Sequence, residues 1–484
     1  MDTQFRLWIY TIYTSNLQCY DIQNRKMFEF SGKETIQSDI VKAIIDDGNG
    51  NIWIGTNSKG IYILNEQADN LMHIHRDSGT PFSLSSNHIN SFYKDNQDIL
   101  WVGTTKQGVA FTDLNNTAFE ICKTPEQEDI SCFQEDRNGK LWLGFDGKGL
   151  ACYDSKQINY KLFNTHNSNI PSNLIIGSYL DSKGKMWFGS YGGGIFYEQN
   201  GIFFPFKQTL ESIEYVRHIA DDKYGNLWVG TFMHGLYCID NGGKITSYTK
   251  ENSCLYTNTI TDLVYSSDHA MLYIGTSTGL YELNTQTQQL APVKGNDNEV
   301  SLIKMHISCL YRDQRGLLWI GTRHGIRIYD EKSRTLTRLS TNDGVSHPYI
   351  RGIVEDHNKN MWIATDCGIT HIIVVDDPTA QELQYRCYSY FNEDGIGDIT
   401  FNNYSIYCNR KGEILMGGTG KYLKIDPNQA LYHPKQHKVI FTGLYLANQR
   451  VDVEKKMHDG RILLQKNIQL LDEITICLLY TSPS

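Results

Sequence analysis

The sequence predicts an all-β chain organised as a β-propeller, on the strength of a repeat and of the strand pattern inside it. All eight tryptophans (Trp8, Trp53, Trp101, Trp142, Trp187, Trp228, Trp319 and Trp362) follow an apolar residue and stand six residues after an Asp. Two further copies of the slot lack Trp and carry Tyr273 and Leu415. The ten copies recur every 41 to 53 residues, the spacing of propeller blades.

One unit, residues 216–240, shows how a blade is written. Val216 and Ile219 begin a short apolar strand, and Asp222-Lys223-Tyr224-Gly225 is a turn in which Asp accepts backbone N–H bonds and Gly takes a positive φ. Leu227–Thr231 alternates its faces, with Leu227 and Val229 opposite Trp228. A Thr-x-x-x-Gly link leads to a third strand and then to a variable outer one. Four antiparallel strands without helical periodicity make a blade. The Trp is expected to fill the wedge between sheets. The Gly two residues later (as in Gly55, Gly144, Gly230 and Gly321) is expected to admit a close neighbour. Asp136, Asp181, Asp222 and Asp313 recur near Gly but never extend to D-x-D-x-D-G, so hairpin turns account for them better than calcium loops.

Counting back from Leu415 to Trp142 gives seven units, a common closure number. Residues 1–118 then read as the last three blades of an earlier, incomplete propeller, and 119–433 as a complete ring. Residues 434–484 change character and read as a truncated β-sandwich. The last blade lacks an obvious outer strand after Ile425, and FEICK (119–123) is expected to supply it beside Tyr422–Ile425.

Composition narrows the function classes. A net charge of −9 argues against nucleic-acid binding, which needs a Lys/Arg surplus. No apolar run approaches membrane-spanning length; the N-terminal residues read as mid-repeat and show no signal-peptide pattern, which says nothing of where a parent protein works. The eleven cysteines form no CxxC pair and no metal-like spacing; reduced, structural thiols are expected, with no metal and no cofactor.

The unit V-x-x-I-x-x-D-x-x-G-x-L-W-x-G-T-x-x-G-L resembles the regulator-propeller repeat of hybrid two-component sensors of gut Bacteroidetes. Residues 391–427, FNEDGIGDITFNNYSIYCNRKGEILMGGTGKYLKIDP, are similar to the last blade of those sensors. VIFTGLYLANQRV (439–451) resembles the opening of their immunoglobulin-like Y_Y_Y domain. The resemblance implies a seven-bladed β-propeller between remnant blades of a second one and the start of an immunoglobulin-like β-sandwich. It implies a periplasmic, ligand-sensing region of an inner-membrane histidine kinase. Its partner would be an oligosaccharide, its parent a membrane-anchored homodimer, and its signal peptide and transmembrane helix would lie outside these residues. Kinase motifs are absent, so no catalytic residue is assigned and the segment itself is not an enzyme. The closing CLLYTSPS (477–484) departs from the family and resembles translated sequencing-adapter read-through, a sequencing artefact.

In a propeller, the loops joining the second strand to the third and those joining one blade to the next share a face. The former contribute Asp146, Tyr191, Phe232, His234, Arg323, His324 and Asp366; the latter contribute Tyr215, Arg217, Tyr349 and Arg351. Aromatic faces stack on sugar C–H surfaces, while Arg and His bond hydroxyls or carboxylates. Tyr191, Tyr215, Arg217, Phe232, His234, Arg323, His324, Tyr349 and Arg351 are therefore the expected ligand-binding set. A protein-interaction scaffold is the main competing reading. A propeller lyase or glycosidase is the other, which would need paired catalytic groups not visible as a pattern.

Overall fold

The computed structural model describes residues 1–11, 13, 15–77, 83–114, 118–124, 126–154, 159–206, 213–294, 302, 304–375, 383–430, 442–446, 449–456, 462, 464–468. The chain divides into two units, Met1–Leu431 and Tyr432–Ser484. The first is an all-β array of antiparallel sheets, propeller-like in its repetition. Three sheets come first: three-stranded from Arg6–Tyr10 to Lys26–Met27, four-stranded from Val41–Asp46 to Leu71–Ile74, and three-stranded from Ile89–Lys94 to Val109–Asp113. Helical geometry, unexpected from the sequence, enters briefly as one α-helical turn at Lys33–Ile36, which buries Ile36, and as 3-10 turns at Thr341–Asp343 and Asn392–Asp394.

Seven four-stranded sheets follow. Sheets 1 to 6 have innermost strands Ile130–Glu135, Ile175–Leu180, Val216–Asp221, Ile260–Ser266, Ile307–Arg312 and Ile350–Glu355, each followed outward by the next three strands in chain order. Sheet 7 runs Phe401–Cys408, Ile414–Gly418, Lys421–Ile425 and takes its fourth strand from Phe119–Lys123. Phe119 stands opposite Ile425 and Lys123 opposite Lys421, the pairing expected of FEICK.

Innermost strands of successive sheets pack side by side, and that of sheet 7 packs against that of sheet 1. Polar bonds repeat at this junction. The acid at the end of an innermost strand accepts the N–H of a hairpin-turn residue in the preceding sheet: Asp221 from Ser182 (3.0 Å), Glu355 from Gln314 (3.0 Å), and Glu135 of sheet 1 from Arg410 of sheet 7 (2.8 Å). Asn402 Nδ2 also donates to the Ile130 carbonyl at 3.0 Å.

The tryptophan spacing has a direct physical cause. Every indole Nε1 donates to the carboxylate six residues upstream, from Trp8 to Asp2 (2.8 Å) through Trp228 to Asp222 and Trp362 to Asp356 (both 2.9 Å). The other carboxylate oxygen accepts turn N–H groups; Asp222 Oδ1 takes those of Tyr224 and Asn226. One Asp thus closes the hairpin and satisfies the buried indole, the turn role expected of these residues. Where the Trp is lost the Asp is lost with it: Ser267 precedes Tyr273 and Asn409 precedes Leu415. In sheets 3, 5 and 6 the Trp is fully buried, whereas Trp101 in the third upstream sheet is 39% exposed.

Where a glycine stands two residues after the repeat position, as at Gly55, Gly144, Gly189, Gly230, Gly275, Gly321 and Gly417, it lies under the next sheet. A Cβ on Gly230 would stand 2.8 Å from Ile260 Cγ2, and one on Gly417 would stand 3.0 Å from Ile130 across the sheet 7 to sheet 1 junction. Gly230→Ala should therefore lower stability by about 1–3 kcal/mol through overpacking. A thermal melt indistinguishable from that of the parent would refute this contact.

His371 occupies the strand position opposite Trp362 and stacks on its indole at 4.2 Å, with both ring nitrogens buried and unbonded. Burial lowers its pKa to about 4, against a smaller upward pull from Asp356. The folded pKa lies below the unfolded value of 6.5. The unfolded chain therefore takes up the proton first, so this contribution is complete above pH 6.5 and fades as pH falls toward 4. The change approaches about 3 kcal/mol. His371→Ile, matching Ile328 opposite Trp319, should flatten the loss of melting temperature between pH 7 and 4.5. Equal slopes in both proteins would contradict the assignment.

The second unit is described only in part. Tyr445–Leu446 pairs with Gln449–Arg450, and Val451, Leu464 and Ile468 form a small core. Much of the expected sandwich sequence, and all of residues 477–484, lies outside the described residues. Among those described, no helix is long and apolar enough to cross a membrane.

Candidate functional site

In sheets 1, 2, 3, 4 and 6 the residue after the second strand bonds back to the segment that enters the innermost strand. Phe232 N–H donates to the Tyr215 carbonyl (3.1 Å) and Asp366 N–H to the Tyr349 carbonyl (3.2 Å), so the two loop sets share one rim. The expected ligand residues fall into two groups there. In the first, Tyr191 of sheet 2 forms a single bridge with Tyr215 of sheet 3. Their rings are 4.5 Å apart, and His234 lies parallel to Tyr215 at 6.0 Å. Tyr191 and Phe232 are 48% and 46% exposed.

The second group joins sheets 5, 6 and 7. The Arg351 and Arg323 guanidinium carbons stand 4.8 and 5.7 Å from the centre of the Tyr349 ring. Arg351 also pairs with Asp366 and donates to Asn403 Oδ1 at 3.0 Å. Arg323 remains exposed. His324 is exposed too, with its N–H bound to Thr322 Oγ1, and has no contact with either ring group among the described bonds. Asp146 bonds back to the Asp129 carbonyl through its N–H.

Arg217 and Arg351 belong to strands, not to the connecting loops where the sequence places them. Each is the extra residue of a β-bulge: the register shifts between Val216 and His218 and between Ile350 and Gly352. A bulge frees one residue from the ladder and re-aims its side chain. Sheet 1 has the same irregularity at Ser131 and sheet 2 at Ile176. In sheet 7 the irregularity is larger, with residues 402–405 set against Gly417 alone.

These bulges surround a cavity of 380 Å³ lined by the innermost strands of all seven sheets. Arg217 enters it from sheet 3, and Tyr404 comes to meet it from sheet 7. The guanidinium carbon is 5.0 Å from the Tyr404 ring centre, and His218 meets the same ring edge-on at 4.6 Å. Tyr404 has a φ of 65°, a strained backbone placement that its bulge imposes. Burial raises its phenol pKa, so it stays protonated. His218 Nδ1 lies 2.9 Å from Asp262 Oδ1, and Asp262 Oδ2 accepts the Leu310 N–H at 2.7 Å.

His218, Asp262, Asn403 and Tyr404 were not among the residues expected from the sequence. For Asn403 and Tyr404 the signal was the polar run Asn402-Asn403-Tyr404 within strand Phe401–Cys408; His218 and Asp262 carried none beyond being polar residues in apolar inner strands. Ten cysteines are free thiols among the described residues, and burial raises the pKa of those lining the cavity, Cys132, Cys309 and Cys408. No group of three or more His, Cys, Asp or Glu side chains in a metal-binding arrangement occurs among them.

Repeated sheets with inner strands around a cavity and loops gathered on a rim define a β-propeller-type domain. Five segments, 35–58, 83–106, 211–233, 301–324 and 344–367, match the two component regulator propeller family. The extracellular domain of a hybrid two component system from B. thetaiotaomicron superposes with a TM-score of 0.70 at 23% identity, covering 95% of this chain and 62% of that one. The extracellular domain of a one component system from the same organism gives a TM-score of 0.52 at 20% identity, covering 98% and 62%. Histidine kinase P4 of Formosa agariphila is 24% identical over 545 residues, covering 87% of this chain and 38% of the kinase. The chain thus has the fold of the extracellular domains of two-component sensors and spans well under half of the curated kinase it matches.

Proposed function

We propose that this chain is the extracytoplasmic sensing region of a hybrid two-component histidine kinase, and that it recognises an oligosaccharide. The observation that carries the reading is the regulator-propeller repeat in five segments, three of which bring Tyr215, Arg217, Phe232, Arg323, His324, Tyr349 and Arg351 to the rim and channel. We read the seven-sheet circuit (119–433) as a complete seven-bladed propeller and residues 1–118 as blades of a preceding one. Residues from 434 onward would begin an immunoglobulin-like sandwich. In the parent protein, a periplasmic homodimer would pass the binding signal through a membrane helix to kinase and phosphorelay domains.

The rim chemistry supports a sugar ligand. Tyr191, Tyr215 and His234 offer a cluster of aromatic faces for C–H surfaces, and Arg323 offers a cation with no carboxylate partner among the described residues. Calorimetry against a panel of plant and host oligosaccharides is the test. A binding glycan should lose about tenfold or more in affinity on Tyr215→Ala and on Arg323→Ala. A bound glycan indifferent to both changes would remove the rim from the site. Product formation instead of binding would overturn the sensor reading.

A further inference from the structure

Residues 402–405 leave the ladder of sheet 7 and reach across the channel. Asn402 Nδ2 donates to the Ile130 carbonyl of sheet 1 at 3.0 Å, and Asn403 Oδ1 accepts from Arg351 of sheet 6 at 3.0 Å. Tyr404 packs among side chains of sheets 5 and 6 and meets His218 of sheet 3 edge-on at 4.6 Å. Its phenol oxygen also takes a hydrogen bond from Arg217. Sheets 3 and 6 are not neighbours, since sheets 4 and 5 separate them one way round the circuit and sheets 7, 1 and 2 the other. The two arginines thus meet through this run.

The run is held against its own preference. Tyr404 sits at a φ of 65°, where a bulky side chain is disfavoured, and the Ser405 hydroxyl is buried without a partner. The bonds to Arg217 and Arg351 offset both costs, so losing either should let the run move toward ordinary extended backbone. Each arginine also continues to the rim. Arg351 pairs with Asp366 and lies over the Tyr349 ring, and Arg217 follows Tyr215 by two residues. Sheet 7 is the last sheet before the chain passes, after Leu431, into the second unit.

We propose that residues 402–405 act as a latch across the channel, coupling the two rim groups to each other and to sheet 7. A ligand that draws Arg351 toward the rim takes a donor from Asn403. The run then relaxes, Tyr404 gives up Arg217, and the backbone beneath Tyr215 loosens in sheet 3. The same steps run in reverse from Arg217, because coupling between two sites is reciprocal. The use of the latch in signalling rests on the rim being the sensing surface, but the coupling itself is readable without a ligand.

Amide exchange on the unliganded 484-residue chain is the test, with Arg351→Ala standing in for the withdrawn arginine. Exchange should quicken about fivefold or more in Phe401–Cys408 and in Val216–Asp221. Ile260–Ser266 and Ile307–Arg312, which lie between sheets 6 and 3 around the circuit, should hold the parent rate. Asn403→Asp keeps an acceptor for Arg351 and should exchange like the parent throughout. Tyr404→Phe removes the phenol oxygen, so in that background Arg351→Ala should no longer change Val216–Asp221. Quickening confined to sheets 6 and 7 would overturn the latch, and so would quickening that reaches sheet 3 by way of sheets 4 and 5. An Arg351→Ala effect on Val216–Asp221 that survives Tyr404→Phe would overturn it as well. The glycan reading fails separately, through oligosaccharide binding that ignores Tyr215→Ala and Arg323→Ala.

Discussion

Trp319→Ala is expected to destabilise the chain by about 3–5 kcal/mol, the range for truncating a fully buried aromatic side chain. Trp319 has no exposed surface, meets Tyr385 edge-on at 5.7 Å, and donates to Asp313 at 3.0 Å. Its loss leaves a cavity and removes one of the bonds that make a buried carboxylate tolerable. Asp313 is 1% exposed, and its Oδ1 already serves the N–H groups of Arg315 and Leu317. Trp319→Phe separates these contributions: much of the apolar contact survives while Asp313 Oδ2 loses its donor, so about 1–3 kcal/mol should go. Trp101→Ala should cost less than half as much as Trp319→Ala, because Trp101 is 39% exposed with the same bond to its Asp. Chemical denaturation of the three variants decides the matter. Equal losses for Trp319→Ala and Trp101→Ala would show that burial between sheets is not what the repeat conserves energy with.

The repeat was legible because its chemistry is local. Six residues from Asp to Trp span one hairpin, so the carboxylate-to-indole bond is written in adjacent text and survives in all eight copies. The pairing of Phe119–Lys123 with Lys421–Ile425 joins residues some 300 apart, yet it too could be read, from a missing strand and a spare one. The rim was legible in part. Residues flanking the second strand must share a face with the entry to the first, which placed Tyr191 near Tyr215 and Arg323 near Tyr349. The channel was not. Arg217 and Arg351 look alike in the sequence, and only their three-dimensional neighbours set them apart, Asp366 and Asn403 for Arg351 and Tyr404 for Arg217. Tyr404 reaches Arg217 because residues 402–405 leave the ladder together, and no alternation of apolar and polar residues encodes a bulge of that size.

Replacing residues 119–123 with GSGSG should cost about 2–5 kcal/mol, and the way the damage spreads is the informative part. The direct losses are five cross-strand pairs at about 0.2–1 kcal/mol each. With them go the edge-to-face contact of Phe119 with Tyr390 at 5.0 Å and the Lys424–Glu120 ion pair. Lys421–Ile425 then becomes an exposed sheet edge. If this strand merely decorates sheet 7, amide exchange should quicken in 421–425 and nowhere else. If it holds the circuit shut, sheet 7 should loosen as a body. The bonds from Asn402 to Ile130 and from Arg410 to Glu135 would open with it. Exchange would then rise in Ile130–Glu135 and Phe401–Cys408 together, while the equivalent strands of sheets 3 and 4 stay protected. The second pattern is expected, because sheet 7 is the only sheet among the seven whose strands come from both ends of the circuit, so its outer strand ties the chain's entry to its exit.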